Sequence, residues 1–205
     1  MFYSIQGEGL HMGKPTFFVR TAGCNLRCSW CDTTYSWERG TEMSVEEVLH
    51  EVEKQPTRSV CVTGGEPLIW PDVMDLLQAL VGRDCDVVLE TSGSLSVADV
   101  AREDGICVSL DIKCPSSHME EHMDLGNLAL LRPKDQLKFV VANKADYEYA
   151  KAVLQENAPH CAVVLQPEGG QSLLPLAEWA LRDGLPVRVL PQLHKLIWPE
   201  KERGV

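Results

Sequence analysis

Along this chain, short apolar runs rich in β-branched residues alternate with segments whose apolar positions repeat at helical spacing. The runs occupy residues 16–20, 59–62, 86–90, 106–110, 136–141, 162–166 and 187–190, the length and composition of strands. Between them, segment 44–54 is the clearest helix. Val45, Val48, Leu49 and Val52 fall at i, i+3, i+4 and i+7, and Ser44 with Glu47 makes an S-x-x-E capping box. In segment 71–80, Val73, Leu76, Leu77 and Leu80 share one stripe behind Pro71, a residue suited to a first helical turn. Segments 146–156 and 173–182 also read as helices, and 97–103 as a shorter one.

Strand and helix in repeated alternation imply a parallel sheet with right-handed crossovers. A complete eight-unit barrel typically needs ~250 residues, whereas this chain has 205 and about six such units. The expected fold class is therefore α/β, a partial, open βα barrel, with 1–205 forming one domain. No internal repeat, low-complexity stretch or linker marks a second one.

The polar residues share an address. Arg20 follows the first run, Thr63-Gly64-Gly65-Glu66 the second and Glu90-Thr91-Ser92 the third. Asp111 and Lys113 follow the fourth, Gln166 and Glu168 the sixth, and Gln192 and His194 the last. In parallel α/β folds the C-terminal ends of the strands converge on one face, where ligands bind.

Charge and composition narrow the partners. Lys plus Arg number 19 against 30 Asp plus Glu, a net charge of −11, so nucleic acid is not an expected partner. No apolar run reaches 18 residues, which excludes a membrane helix. The opening MFYSIQGEG has neither the basic nor the apolar region of a signal peptide, and the expected location is the cytoplasm. Of the eight cysteines, Cys61, Cys85, Cys107, Cys114 and Cys161 are scattered singly. Without a secretion signal they are not expected to form disulfides; Cys61 and Cys107, within apolar runs, read as small buried hydrophobes.

The other three form Cys24-x3-Cys28-x2-Cys31, in a loop directly after the first run. Short spacings let one loop wrap one iron–sulfur cluster. Three thiolates for four irons leave one iron open to chelate a small molecule through an amine and a carboxylate. The alternative, structural zinc, calls for four Cys or His ligands. No fourth lies nearby, the next His being His50 inside the predicted helix. Gly23 before the first Cys and Trp30 before the last also suit a cluster loop.

This three-cysteine loop, with an aromatic residue before its last Cys, resembles the radical S-adenosylmethionine (SAM) superfamily. Gly64-Gly65-Glu66-Pro67, placed after the next strand, is similar to that superfamily's GGEP motif. The resemblance implies a [4Fe–4S] cluster on Cys24, Cys28 and Cys31 that reduces SAM to a 5′-deoxyadenosyl radical. It implies SAM contacts from Trp30, Cys31, Asp32, Gly65, Glu66, Ser92, Asp111, Ile112 and Lys113, with Glu66 and the GG backbone holding the methionine amino group.

The opening Phe-Tyr-Ser-Ile-Gln-Gly-Glu-Gly (2–9), the Cys-Asp-Thr of 31–33 and the C-terminal His-Lys resemble, more narrowly, the 7-carboxy-7-deazaguanine synthase family. That family converts 6-carboxy-5,6,7,8-tetrahydropterin to 7-carboxy-7-deazaguanine with release of ammonia, for 7-deazapurine tRNA nucleosides. The resemblance implies substrate contacts from Ile5, Gln6, Gly7, Glu8, Arg20, Thr63, Gln192, His194 and Pro199, and Mg²⁺ on Thr33. A forked Arg20 suits a substrate carboxylate, and Gln6 with Gly7 suits the edge of a pterin. Relatives reach the substrate with a terminal Pro carboxylate, whereas here Glu200 to Val205 follow Pro199. The chain also starts within the opening motif, so a leading strand is expected to be short or absent. A homodimer and a flavodoxin- or ferredoxin-type electron donor are implied as partners. Two rivals share the cysteine loop: a glycyl-radical-enzyme activase, which would lack SIQGEG, and an iron–sulfur electron-transfer module, which would have no use for GGEP.

Overall fold

The computed structural model describes residues 1–38, 40–201 and 203–204. Eight strands form one sheet whose spatial order is the chain order: β1 (Phe2–Ile5), β2 (Pro15–Thr21), β3 (Ser59–Gly64), β4 (Asp86–Thr91), β5 (Ile106–Ile112), β6 (Gln136–Val141), β7 (Ala162–Pro167) and β8 (Arg188–Val189). β1 pairs antiparallel with β2, and every later pair is parallel. β8 is the far edge and does not pair with β1, so the barrel is open. A leading strand is thus present, four residues long, with Phe2 stacked on Phe18 at 4.8 Å.

Helices α1 (Val45–Glu53), α2 (Val73–Val81), α3 (Ala98–Arg102), α4 (Lys144–Asn157) and α5 (Leu174–Asp183) are the predicted ones, with ends shifted by a few residues. The capping box of α1 forms as expected: Ser44 Oγ accepts from Glu47 N while Glu47 accepts from Ser44 N. Between β5 and β6 no α-helix forms. Pro115–Ser117, Glu120–His122 and Leu125–Leu130 are 3-10 turns, consistent with a stretch broken by Pro115 and Gly126 that lacks apolar periodicity. A short helix that the pattern did not predict, α6 (Leu193–Ile197), closes the chain. Among the described residues no helix is long and apolar enough to cross a membrane.

The strands sort their side chains by period two. Phe17 and Val19, Val60 and Val62, Val87 and Leu89, Val108 and Leu110, Leu137 and Phe139, and Val163 and Leu165 all enter one apolar core. That core is shared with Leu49 and Val52 of α1, Leu76, Leu77 and Leu80 of α2, and Tyr147, Ala150 and Val153 of α4. The intervening residues face the barrel interior. There the same strands carry Phe18 and Arg20, Cys61 and Thr63, Glu90, Asp111, and Lys138 with Val140, which line a single cavity.

Candidate active site

The cysteine loop is held by the glycines of the next strand's end. Gly65 N donates to Thr21 O (3.2 Å) and Glu66 N to Gly23 O (2.9 Å). The backbones approach so closely that a Cβ on Gly64 would lie 2.1 Å from Thr21 Oγ1, and one on Gly65 would lie 2.1 Å from Gly23 O. Only glycine fits such an approach. On its other side the loop leans on the turn after β5. Ser29 N donates to Ser117 O (3.0 Å), and Trp30 Nε1 to Ser116 Oγ (3.3 Å).

Cys24, Cys28 and Cys31 are unpaired, partly exposed and line the same cavity. Among the described residues no three Cys, His, Asp or Glu side chains gather tightly enough for a single metal ion. Three thiols on one loop beside a shared cavity offer the protein ligands of an iron–sulfur cluster with one iron left open. Burial pushes the Cys24 and Cys28 thiols above their ordinary pKa.

Glu66 behaves differently from the expectation. Its carboxylate is fully buried and accepts from Leu68 N (3.0 Å), Thr91 Oγ1 (2.8 Å), Ser92 N (2.7 Å) and Ser92 Oγ (2.6 Å). Both oxygens are taken up in clamping β3 to β4, so the side chain lies behind the cavity wall. It orients Ser92, which lines the cavity along with Gly64 and Gly65.

Beneath the loop lies a charged floor. Lys138, 4% exposed, ion-pairs with Glu8, with Glu90 (3.1 Å) and with Asp111 (3.5 Å). Lys113 pairs with Asp111 at 3.0 Å and lies 5.5 Å over the Trp30 ring. Burial alone would raise the pKa of Glu8. Lys138, His194 and the hydrogen bond from Gln192 outweigh it and hold the carboxyl at about 2. Burial likewise works against the charge on Lys138 and Lys113, but the surrounding carboxylates raise both above the ordinary lysine value. Asp111 Oδ1 is buried with no partner.

The opening motif reaches this floor from the open side of the barrel. Leu193 N donates to Gly7 O (2.9 Å), and Gln192 Nε2 donates to Glu8 Oε1 (2.7 Å). A Cβ on Gly7 would strike His194 Nδ1 at 2.1 Å. Burial holds His194 below its usual pKa against the pull of Glu8 and Asp32, and its Nε2 lies 4.0 Å from Asp32. Arg20 donates to Gly64 O (3.2 Å), while its Nε is buried without a partner. Thr33 Oγ1 lies 3.7 Å from Cys31 Sγ.

Of the residues expected from sequence, Gln6, Gly7, Glu8, Arg20, Trp30, Asp32, Thr33, Thr63, Gly65, Ser92, Asp111, Lys113, Gln192, His194 and the three cysteines line this one cavity. Glu66, Ile5, Ile112 and Pro199 do not. Ile112 falls on the outward phase of β5 and is buried in the core, and Ile5 pairs with Pro15 on the edge strand. Pro199 is exposed and lines an adjoining recess with Lys195 and Arg203. Lys138 went unassigned from sequence; a lysine inside an otherwise buried strand was the available signal. Glu90 was placed at a strand end but given no role.

Comparison with known proteins fits this geometry. The radical SAM superfamily profile matches residues 18–140. A 7-carboxy-7-deazaguanine synthase from Chlorobaculum tepidum is 46% identical, covering 100% of this chain and 95% of the relative. One from Thermoplasma acidophilum is 37% identical over 97% and 95%. The chain belongs to the 7-carboxy-7-deazaguanine synthase family. The crystal structure of QueE from Escherichia coli superposes with a TM-score of 0.78 at 25% identity, covering 95% of this chain and 92% of that one.

Membership in the synthase family brings a [4Fe–4S] cluster, SAM and Mg²⁺ as cofactors. The residues fit them. The thiol triad suits the cluster, the glycine-lined wall with Ser92 leaves room for SAM, and the unpartnered Asp111 Oδ1 offers SAM an acceptor. Thr33 lines the cavity and would supply one hydroxyl, which suits Mg²⁺ where the ion keeps waters and takes other oxygens from a substrate.

Proposed function

We propose that the enzyme is a carbon–nitrogen lyase that converts 6-carboxy-5,6,7,8-tetrahydropterin to 7-carboxy-7-deazaguanine and ammonia. The observation that carries this reading is that the Gln6–Gly7–Glu8 motif, Gln192 and His194 line the same cavity as the thiol triad. A substrate read by the opening motif is thereby held beside the radical source. When bound, the cluster and SAM would supply hydrogen-atom abstraction without net consumption of SAM.

The chain's own residues do the rest. Arg20 offers its unpartnered Nε to the substrate carboxylate, with its guanidinium fixed by Gly64 O. Thr33 would hold Mg²⁺ through its hydroxyl. Gln6, its own amide partly engaged by Glu8 N, reads the pterin edge with Gly7. Thr63 and His194 bound the substrate space, and Trp30, Asp32, Ser92, Asp111 and Lys113 bound the SAM space. Residues from successive strand ends surround the reacting centre. The 205 residues act as one domain, as a homodimer in the cytoplasm, with a flavodoxin- or ferredoxin-type protein as reductant.

The test is anaerobic turnover of the reconstituted enzyme with dithionite, SAM and 6-carboxytetrahydropterin, followed by mass spectrometry. Product and ammonia in equal amounts, with many products per SAM, are expected. Absence of product, with 5′-deoxyadenosine still formed, would assign the site to another radical SAM reaction.

A further inference from the structure

We propose that Lys138 and Glu8 act together as positioning residues that turn the Gln192 amide so that its oxygen faces the substrate and accepts an N–H from it. This rests on the reading above, in which the occupant is a nitrogen heterocycle with amide and amino N–H groups along one edge. Glu8 Oε2 is taken by Lys138, and Glu8 Oε1 accepts from Gln192 Nε2 at 2.7 Å. Lys138 is a pure donor, and an ionised carboxylate is a pure acceptor. Lys138 thus keeps Glu8 charged, and a charged Glu8 accommodates only the NH₂ end of Gln192. The other end of that amide, Oε1, is buried without any partner while the residue lines the cavity. Gln192 itself is 6% exposed, and an acceptor so buried is left open at a cost unless a ligand donor meets it. With both of its oxygens engaged, Glu8 acts on the ligand only through Gln192.

The chemistry makes an isosteric test possible. In Glu8→Gln the amide oxygen must face Lys138, so its NH₂ faces Gln192. Gln192 then turns over and presents its own NH₂ to the substrate N–H. Equilibrium binding of 6-carboxytetrahydropterin is measured anaerobically without reductant, with SAM affinity measured in the same samples. Gln192→Met is expected to weaken pterin binding about 10-fold, within the cost of leaving one buried donor unmet, and Glu8→Gln at least as much. The double variant should be no weaker than the worse single variant, and SAM affinity should hold in all three. Lys138→Met should repeat the loss, and Lys138→Arg should restore it. Wild-type binding in Gln192→Met overturns the inference, as does a double variant whose losses multiply, since Glu8 would then touch the ligand itself. Failure of the wild-type protein to bind the pterin at all removes the functional reading, and this inference with it. If Lys138→Met does not fold, Glu8→Gln and Gln192→Met still decide.

Discussion

Gly65 is the residue at which the cluster site is most sensitive to a single atom. A methyl group there would meet Gly23 O and Cys24 Cβ at 2.1 and 2.7 Å, both on the loop that carries the thiols. Gly65→Ala should push that loop away, costing about 1–3 kcal/mol of stability and most of the bound iron. Iron assay and thermal unfolding read the two effects, and retention of full iron would show that the loop yields without losing its ligands. Gly82→Ala is the control: its nearest neighbour would be 3.4 Å away at a helix end, and it should change neither quantity by much. Glu8 offers a second test, in pH. Its carboxyl falls from 4.5 to about 2 on folding, so it stabilises the fold fully above pH 4.5. That contribution is lost as pH falls toward 2. The shift corresponds to up to about 3 kcal/mol. Glu8→Gln should therefore be less stable than wild type in urea at neutral pH, with the gap closing in acid. A gap independent of pH would mean that the charge on Glu8 contributes nothing. The cysteines, Arg20 and the opening motif were legible in the sequence because their types and spacing carry chemistry. Lys138 was not, because its meaning depends on three carboxylates far from it along the chain, Glu8 in the loop after β1, Glu90 on β4 and Asp111 on the neighbouring β5.

At the level of elements, strands β2 to β8 and the five main helices could be read from period, since burial on two faces and on one leaves different patterns; β1 could not. The segment between β5 and β6 could not, as side-chain hydrogen bonds rather than periodicity hold it. Asp146, fully buried in the first turn of α4, accepts from Ser116 N (2.9 Å) and Ala142 N (2.9 Å) and binds Ser116 Oγ. Ser116 in turn receives Trp30, and its neighbour Ser117 receives the backbone of Ser29. Helix α4 thus props the thiol loop from behind. Asp146→Ala strands those donors and should cost about 2–4 kcal/mol. It should also speed cluster loss on exposure to air or chelator, followed by the decay of cluster absorbance. Unchanged decay in a destabilised protein would confine Asp146 to folding. Ser44→Ala, which removes the cap of α1 far from the loop, should cost about 1 kcal/mol and leave that decay unaltered.

Across the whole molecule, an open barrel leaves one seam, and here the opening motif and the C-terminal turn meet along it and line the cavity. Its fold class followed from counting strand–helix units, but its closure did not, since a link between Gly7 and Leu193 leaves no local trace. Gly7→Ala should drive His194 outward and weaken pterin binding by 10-fold or more, while the sheet and the iron content remain. Equilibrium binding beside circular dichroism checks this, and unaltered binding would mean that the seam tolerates a methyl group. Hydrogen exchange gives the complementary view, with substrate expected to slow the Leu193 amide more than any amide of β3 or β4. The seam also orders events during synthesis on the ribosome. Glu8 and Gln192 are 184 positions apart, whereas the three thiols and both glycines that brace them are in place by residue 65. Chains fold progressively as they emerge, so a nascent chain has the ligands for its iron long before it has a wall to hold a pterin. Metal loading can precede release, whereas substrate recognition must wait for the last turn of the polypeptide to return to the first.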